Sequence, residues 1–222
     1  MSGSIIGSLI RKDLYFMRGG MIAAIAAGAA AIALMPISRM LSYVSAVLLI
    51  CVLIVLNIFL VMHSVAQERK DKTALFILSL PVSAMDYTIA KVMATGIAFG
   101  VPWLVLTVAT ALTIVVSPIP DGVLPYWMTL LGYLLAYFCA LLAIALLKDS
   151  SGWHAAAITL GNVSVNFLIP FLLTRPSVIA HANGDVAVWS GDLMTILAVE
   201  LLAGFAMLGY AIHAHARRPD FV

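Results

Sequence analysis

Residues 43–63 read YVSAVLLICVLIVLNIFLVMH and contain no Asp, Glu, Lys or Arg. A helix rises about 1.5 Å per residue, so roughly 20 apolar residues cross the ~30 Å of hydrocarbon in a bilayer. Working outward, five further stretches meet the same length and polarity, at about 20–37, 90–116, 126–147, 155–174 and 193–212. The breaks between them carry prolines, glycines or charges: Pro36 to Ser42, Gln67 to Asp86, Pro118 to Pro125, Lys148 to Gly152 and Arg175 to Asp192. The expected fold class is an all-α integral membrane protein, a single transmembrane domain over residues 1–222 with six spanning helices.

Composition agrees. Hydrophobic residues make up 64% of the 222 residues and charged residues 10%, against about 45–50% and 25% in soluble domains. A water-soluble domain could not hide that apolar surface, so lipid is the solvent. The net charge of +2 is too small to suggest nucleic acid. Cys51 and Cys139 lie in apolar runs on different helices, without metal-ligand spacing, and read as small hydrophobic residues. Arg11, Lys12 and Arg18 precede the first apolar run as in a signal peptide. The long amphipathic lead-in and the length of the run favour a retained first span.

Basic residues orient the chain. With the N-terminus in the cytoplasm, Arg11, Lys12, Arg18, Arg69, Lys70, Lys72, Lys91, Lys148, Arg217 and Arg218 lie inside, and only Arg39 and Arg175 lie outside. Both termini are then cytoplasmic, and the outer loops are short. Segment 4–18 carries Ile5, Ile6, Leu9, Ile10, Leu14 and Met17 on one side and Arg11, Lys12, Asp13 and Arg18 on the other. It reads as an amphipathic helix in the membrane interface, with Gly19-Gly20 as the corner into the first span. The first span is rich in small residues, Ala23, Ala24, Ala26, Ala27, Gly28, Ala30 and Ala31, which suit close packing on another helix.

The longest inner segment, 67–87, starts charged, turns apolar and stops at Pro81. Proline disfavours helix at Leu80. Ser83, three residues before Asp86, suggests a capping box and a new helix from about Ala84 that runs through Lys91 into the third span. At ~45–50 Å that helix overshoots the hydrocarbon. Leu75, Phe76, Leu78 and Leu80 sit at helical spacing and need a cover. Three covers are open to them: the membrane surface, the chain's own helices, or a groove on another protein.

The run Glu68-x-x-x-x-Thr73-x-Leu75-x-x-Leu78-Ser79-Leu80-Pro81-Val82-Ser83, followed by Tyr87 and Lys91, resembles the second cytoplasmic segment of ABC-2 type transporter permeases. Residues 10–14 resemble that family's interfacial helix, and the six-span topology agrees. The resemblance implies a permease subunit of an ABC exporter, with no catalytic residue of its own. It implies a separate cytoplasmic ABC ATPase that carries ATP and Mg, and a second permease chain, identical or a sister. The segment around 68–80 would be the coupling helix seated on the ATPase. Leu75, Phe76 and Leu78 would be its anchors, Glu68 and Arg69 hinge or salt-bridge residues, and Thr73, Leu80 and Pro81 part of the motif. The chain has no G-x-x-x-x-G-K-[ST] phosphate loop.

Glu200 is the one acid well inside a predicted span. A carboxylate there costs about 2.5–3.5 kcal/mol on insertion scales. It reads either as a transport-pathway site or as an interhelical hydrogen bond, with Gly204 one turn on allowing close packing. Thr159, Asn162 and Asn166 share one face of the fifth span and read as pathway lining or interhelical contacts. Asn57 reads as structural. No metal site or catalytic constellation is expected from the five histidines.

Three functions follow as expectations. The first is an ATP-driven exporter permease in the bacterial cytoplasmic (inner) membrane, moving an amphipathic or hydrophobic substrate such as a peptide, lipid or drug by alternating access. The second is an ATP-independent secondary transporter or channel using Glu200. The third is a haem-exporter-type or assembly-factor subunit.

Overall fold

The structure, a computed structural model, describes residues 2–66, 84–148 and 150–216. Among these residues the regular elements are all helical. In chain order they are α1 (Ser2–Ala33), α2 (Arg39–Val61) running into a π-helical turn (Met62–Ala66), α3 (Ala84–Val116), a 3-10 turn (Asp121–Val123), α4 (Leu124–Leu147), α5 (Ser151–Leu173), the short α6 (Pro176–His181) and α7 (Gly191–Ala216). All but α6 correspond to helices long and apolar enough to cross a membrane, six in total. The apolar runs thus become helices because each can satisfy its own backbone in lipid. The third is helical from Ala84, the first described residue after the segment, through Lys91 into the span; Ser83 of the capping pattern lies outside the described residues.

Successive spans run in opposite directions, so one end of the bundle holds the start of α1, the π turn, the start of α3 and the end of α7. Arg11, Lys12, Arg18, Lys91 and Lys148 cluster there; Arg39 and Arg175 lie at the opposite end. We call the first the basic end. Three pairings dominate the packing: α4 against α7, α1 against α3, and α1 against α2. Phe99 of α3 stacks on Phe138 of α4 at 4.3 Å between centroids and joins the α1–α2–α3 group to the α4–α7 pair. Leu49 and Leu53 of α2 meet Leu130, Leu131 and Leu134 of α4 in a fully buried layer. The central stretch of α4 is 67% buried, against 17% for α5 and 11% for α7, so the last two lie at the periphery.

Small residues set these approaches. A Cβ on Gly204 of α7 would stand 2.8 Å from the Ala136 Cα of α4, and one on Gly28 of α1 would stand 2.6 Å from Leu106 of α3. Both values are far inside contact distance; at Gly204 the obstacle is the Ala136 backbone, so only glycine permits that spacing, whereas at Gly28 it is the movable tip of Leu106. Of the small residues of the first span, Ala24, Gly28 and Ala31 are buried against the bundle, whereas Ala23, Ala26, Ala27 and Ala30 face out.

The expected corner at Gly19-Gly20 is absent: α1 is one helix from Ser2 to Ala33. Gly20 serves contact rather than flexibility, since a Cβ there would lie 2.6 Å from the Phe59 ring of α2. The two sides of the amphipathic segment are as read except at Asp13, which is buried. The Met17 side of the helix packs into the core with Leu14, and Arg11 and Arg18 face outward. Packing of α1 along α3 buries the apolar side of this continuous helix.

The connections at the opposite end are short and tied together. The Gly122 N–H donates to the Gly184 carbonyl at 2.9 Å, and the Ser177 hydroxyl donates to Asp192 at 2.7 Å. Arg175 lies over the Phe171 ring at 3.8 Å.

Candidate functional site

Polar side chains concentrate in two places. The first is the basic end, where the chain leaves the π turn at residue 66 and re-enters as α3 at residue 84. Thr88, Lys91 and Thr95 recur every three or four residues and so share one face of α3. All three are buried. The Lys91 ammonium donates to Asp13 of α1 at 2.9 Å, with side chains only 5% and 10% exposed. Lys12 adds a longer contact to the same carboxylate at 3.5 Å. The Thr95 hydroxyl donates to the Lys91 carbonyl at 2.9 Å and shares a 2.6 Å bond with Ser64 of the π turn. Thr88 pairs with the His215 ring nitrogen Nδ1 at 2.8 Å. His63 stacks on Phe59 one helical turn away.

These contacts cross-link α1, the end of α2, the start of α3 and the end of α7 in one buried layer. A buried ion pair holds only when geometry is good and further hydrogen bonds complete it, and the distances meet that demand. A force on the chain between residues 66 and 84 would therefore reach three spanning helices through side chains already in contact. The residues singled out in that segment, Glu68, Arg69, Thr73, Leu75, Phe76, Leu78, Leu80 and Pro81, lie outside the described residues. The polar layer itself escaped the sequence reading. Its signal was the Thr88-Lys91-Thr95 spacing, and the offset of two residues that sends Asp13 to the side of α1 opposite Arg11.

The second place is the middle of the bundle. Glu200 of α7 is half-buried at the α4 seam, its Oε2 beside Gly132, and that oxygen is buried without a hydrogen-bond partner among the described residues. Gly204 packs one turn further on the same helix, as its spacing implied. Thr159, Asn162 and Asn166 do not join Glu200. Gly161 and Val165 are the buried face of α5, and a Cβ on Gly161 would meet the Tyr137 ring of α4. Thr159 and Asn166 are exposed and Asn162 half-exposed, so their face looks away from the other helices of the chain. The Asn166 amide donates to the Asn162 carbonyl one turn earlier at 2.9 Å. Between the two sites, Tyr133 of α4 bonds Ser164 of α5. Asn57 of α2 is 1% exposed, and neither polar atom of its amide has a partner among the described residues.

Six helices long and apolar enough to cross a membrane among the described residues define a multi-pass membrane protein. The chain matches the family described as ABC-2 family transporter protein over residues 8–212, and it belongs to that family. It is thus a multi-pass membrane protein and a permease subunit of an ABC-2 type transporter, a membrane component whose family works with an ABC ATPase. Comparison with curated proteins and with solved structures returned no match.

Proposed function

We propose that this chain is the permease half of an ATP-driven exporter in a bacterial cytoplasmic membrane. The basic end faces the cytoplasm, where positive charge is retained. Residues 68–81 dock on a separate ABC ATPase, with Leu75, Phe76 and Leu78 as apolar anchors. A second permease chain covers the Thr159-Asn162-Asn166 face, because amides turned toward lipid would otherwise lack polar contact. The pathway between the chains takes an amphipathic or hydrophobic substrate outward by alternating access.

The observation that carries this reading is the buried polar layer around Lys91. It lies where the chain leaves the π turn at residue 66 and re-enters as α3 at residue 84, and it ties α1, the end of α2, α3 and α7 to one another. Motion of the ATPases against the intervening segment would tilt these helices together, while the peripheral α5 is left to move against α4.

The unpartnered Oε2 of Glu200 favours a second reading, an ATP-independent transporter with Glu200 as its ion or proton site. Inverted membrane vesicles bearing the chain and its neighbouring gene products separate the two. Accumulation of a fluorescent amphipathic probe only after ATP is added supports the exporter. Accumulation driven by a proton gradient without ATP, and abolished by Glu200→Gln, replaces it with the second reading.

A further inference from the structure

The outward face of α1 has a chemistry that neither transport reading uses. At about 100° per residue, Arg11, Tyr15, Arg18 and Ile22 fall on one narrow stripe. All four are exposed, Tyr15 at 58% and Ile22 at 65%. The Arg18 guanidinium lies 3.9 Å from the Tyr15 ring centroid, which holds the charge over the aromatic face. The opposite side of the helix carries Asp13, Met17 and Ala24, all buried. Asp13 is the sole acid of α1, and it is turned inward against Lys91. The stripe therefore presents cationic and aromatic groups with no carboxylate of its own helix to neutralise them.

Its height in the membrane follows from length. The helix has 32 residues, ~48 Å, and the hydrocarbon accounts for about 20 residues counted back from Ala33. Arg11, Tyr15 and Arg18 then straddle the boundary between headgroups and acyl chains, and Ile22 lies one turn deeper, in the acyl region. A cation pair at headgroup level, an amphipathic ring between them and an aliphatic residue beneath is complementary to a single amphiphile with an anionic head.

We propose that this stripe is a binding site for an anionic phospholipid, with Arg11 and Arg18 reaching its anionic headgroup from either side of Tyr15 and Ile22 against the acyl chain. The site holds α1 at a fixed depth while the polar layer on its other side holds it to α3. Charge complementarity and the graded polarity along the stripe select the occupant; a neutral zwitterionic lipid satisfies the tail contact and not the two cations.

Native mass spectrometry of the purified full chain, titrated with phosphatidylglycerol and separately with phosphatidylcholine, tests this. An arginine near an anionic lipid surface contributes ~1 kcal/mol, about five-fold in affinity. Arg11→Gln/Arg18→Gln should lower phosphatidylglycerol retention about 25-fold and leave phosphatidylcholine unchanged. Both side chains are exposed, so the core is untouched, and Arg18→Gln alone should give about a five-fold loss should the double variant not fold. Unchanged phosphatidylglycerol retention, or equal loss of both lipids, overturns the site. So does displacement by millimolar inorganic phosphate, which would make the stripe a soluble-anion site.

Discussion

The basic end and the middle of the bundle treat polar groups in opposite ways. At the basic end Asp13, Lys91, Thr95, Ser64, Thr88 and His215 are buried and mutually bonded, with His154 Nε2 at the start of α5 an exception that has no partner among the described residues. In the middle, Glu200 Oε2 is buried and unpartnered among the described residues, and the polar face of α5 points out of the chain. Both arrangements are expensive in lipid. The first offsets that expense internally and so serves the fold. The second leaves the Glu200 oxygen without a partner among the described residues, and the proposed function supplies one from outside the chain: a substrate, an ion or a second copy.

The comparison can be broken at several points. The largest effect is expected at the ion pair. Lys91→Met leaves Asp13 buried with only the longer Lys12 contact and should destabilise the protein by about 3 kcal/mol. Asp13→Leu/Lys91→Met should recover most of that loss, because an apolar pair of similar volume replaces the charges. Thermal unfolding in detergent, followed by loss of the monodisperse peak, measures both. Next comes Gly204→Leu, which must push Ala136 aside at the α4–α7 seam and should destabilise by about 1–3 kcal/mol.

Smaller and opposite in sign is Glu200→Leu. Removing an unpartnered carboxylate should stabilise the isolated chain by about 1 kcal/mol while lowering ATP-driven accumulation of the probe. A destabilised Glu200→Leu variant would place Glu200 among the structural residues instead. The smallest change in fold stability belongs to Asn166→Leu, within about 0.5 kcal/mol, since the residue is exposed. Its effect should appear in assembly: cross-linking between permease chains should fall.

Much of this was legible in the residues. The 43–63 run and its five counterparts gave the spans, and Gly204 a close approach. Helical periodicity in apolar runs is strong because every span must bury its own backbone. The continuity of α1 through Gly19-Gly20 was not legible. Glycine pairs signal a bend or a close contact with equal force, and only the Phe59 ring against Gly20 decides between them. The inward turn of Asp13 was missed because a basic neighbourhood suggested a polar face, when the residue sits on the Met17 side of the helix. The separation of Glu200 from Thr159, Asn162 and Asn166 depends on which helices neighbour α4, a tertiary fact that no single span encodes.

The central claim is that the segment between the π turn and α3 couples this permease to an ATPase. Co-purification of the chain with its gene neighbours, followed by an ATPase assay, tests it directly in wild type and in Phe76→Asp. The account predicts that a phosphate-loop ATPase is retained by the wild type and lost from Phe76→Asp, with the membrane subunit itself still folded. Retention that ignores Phe76, or no ATPase at all, would contradict it.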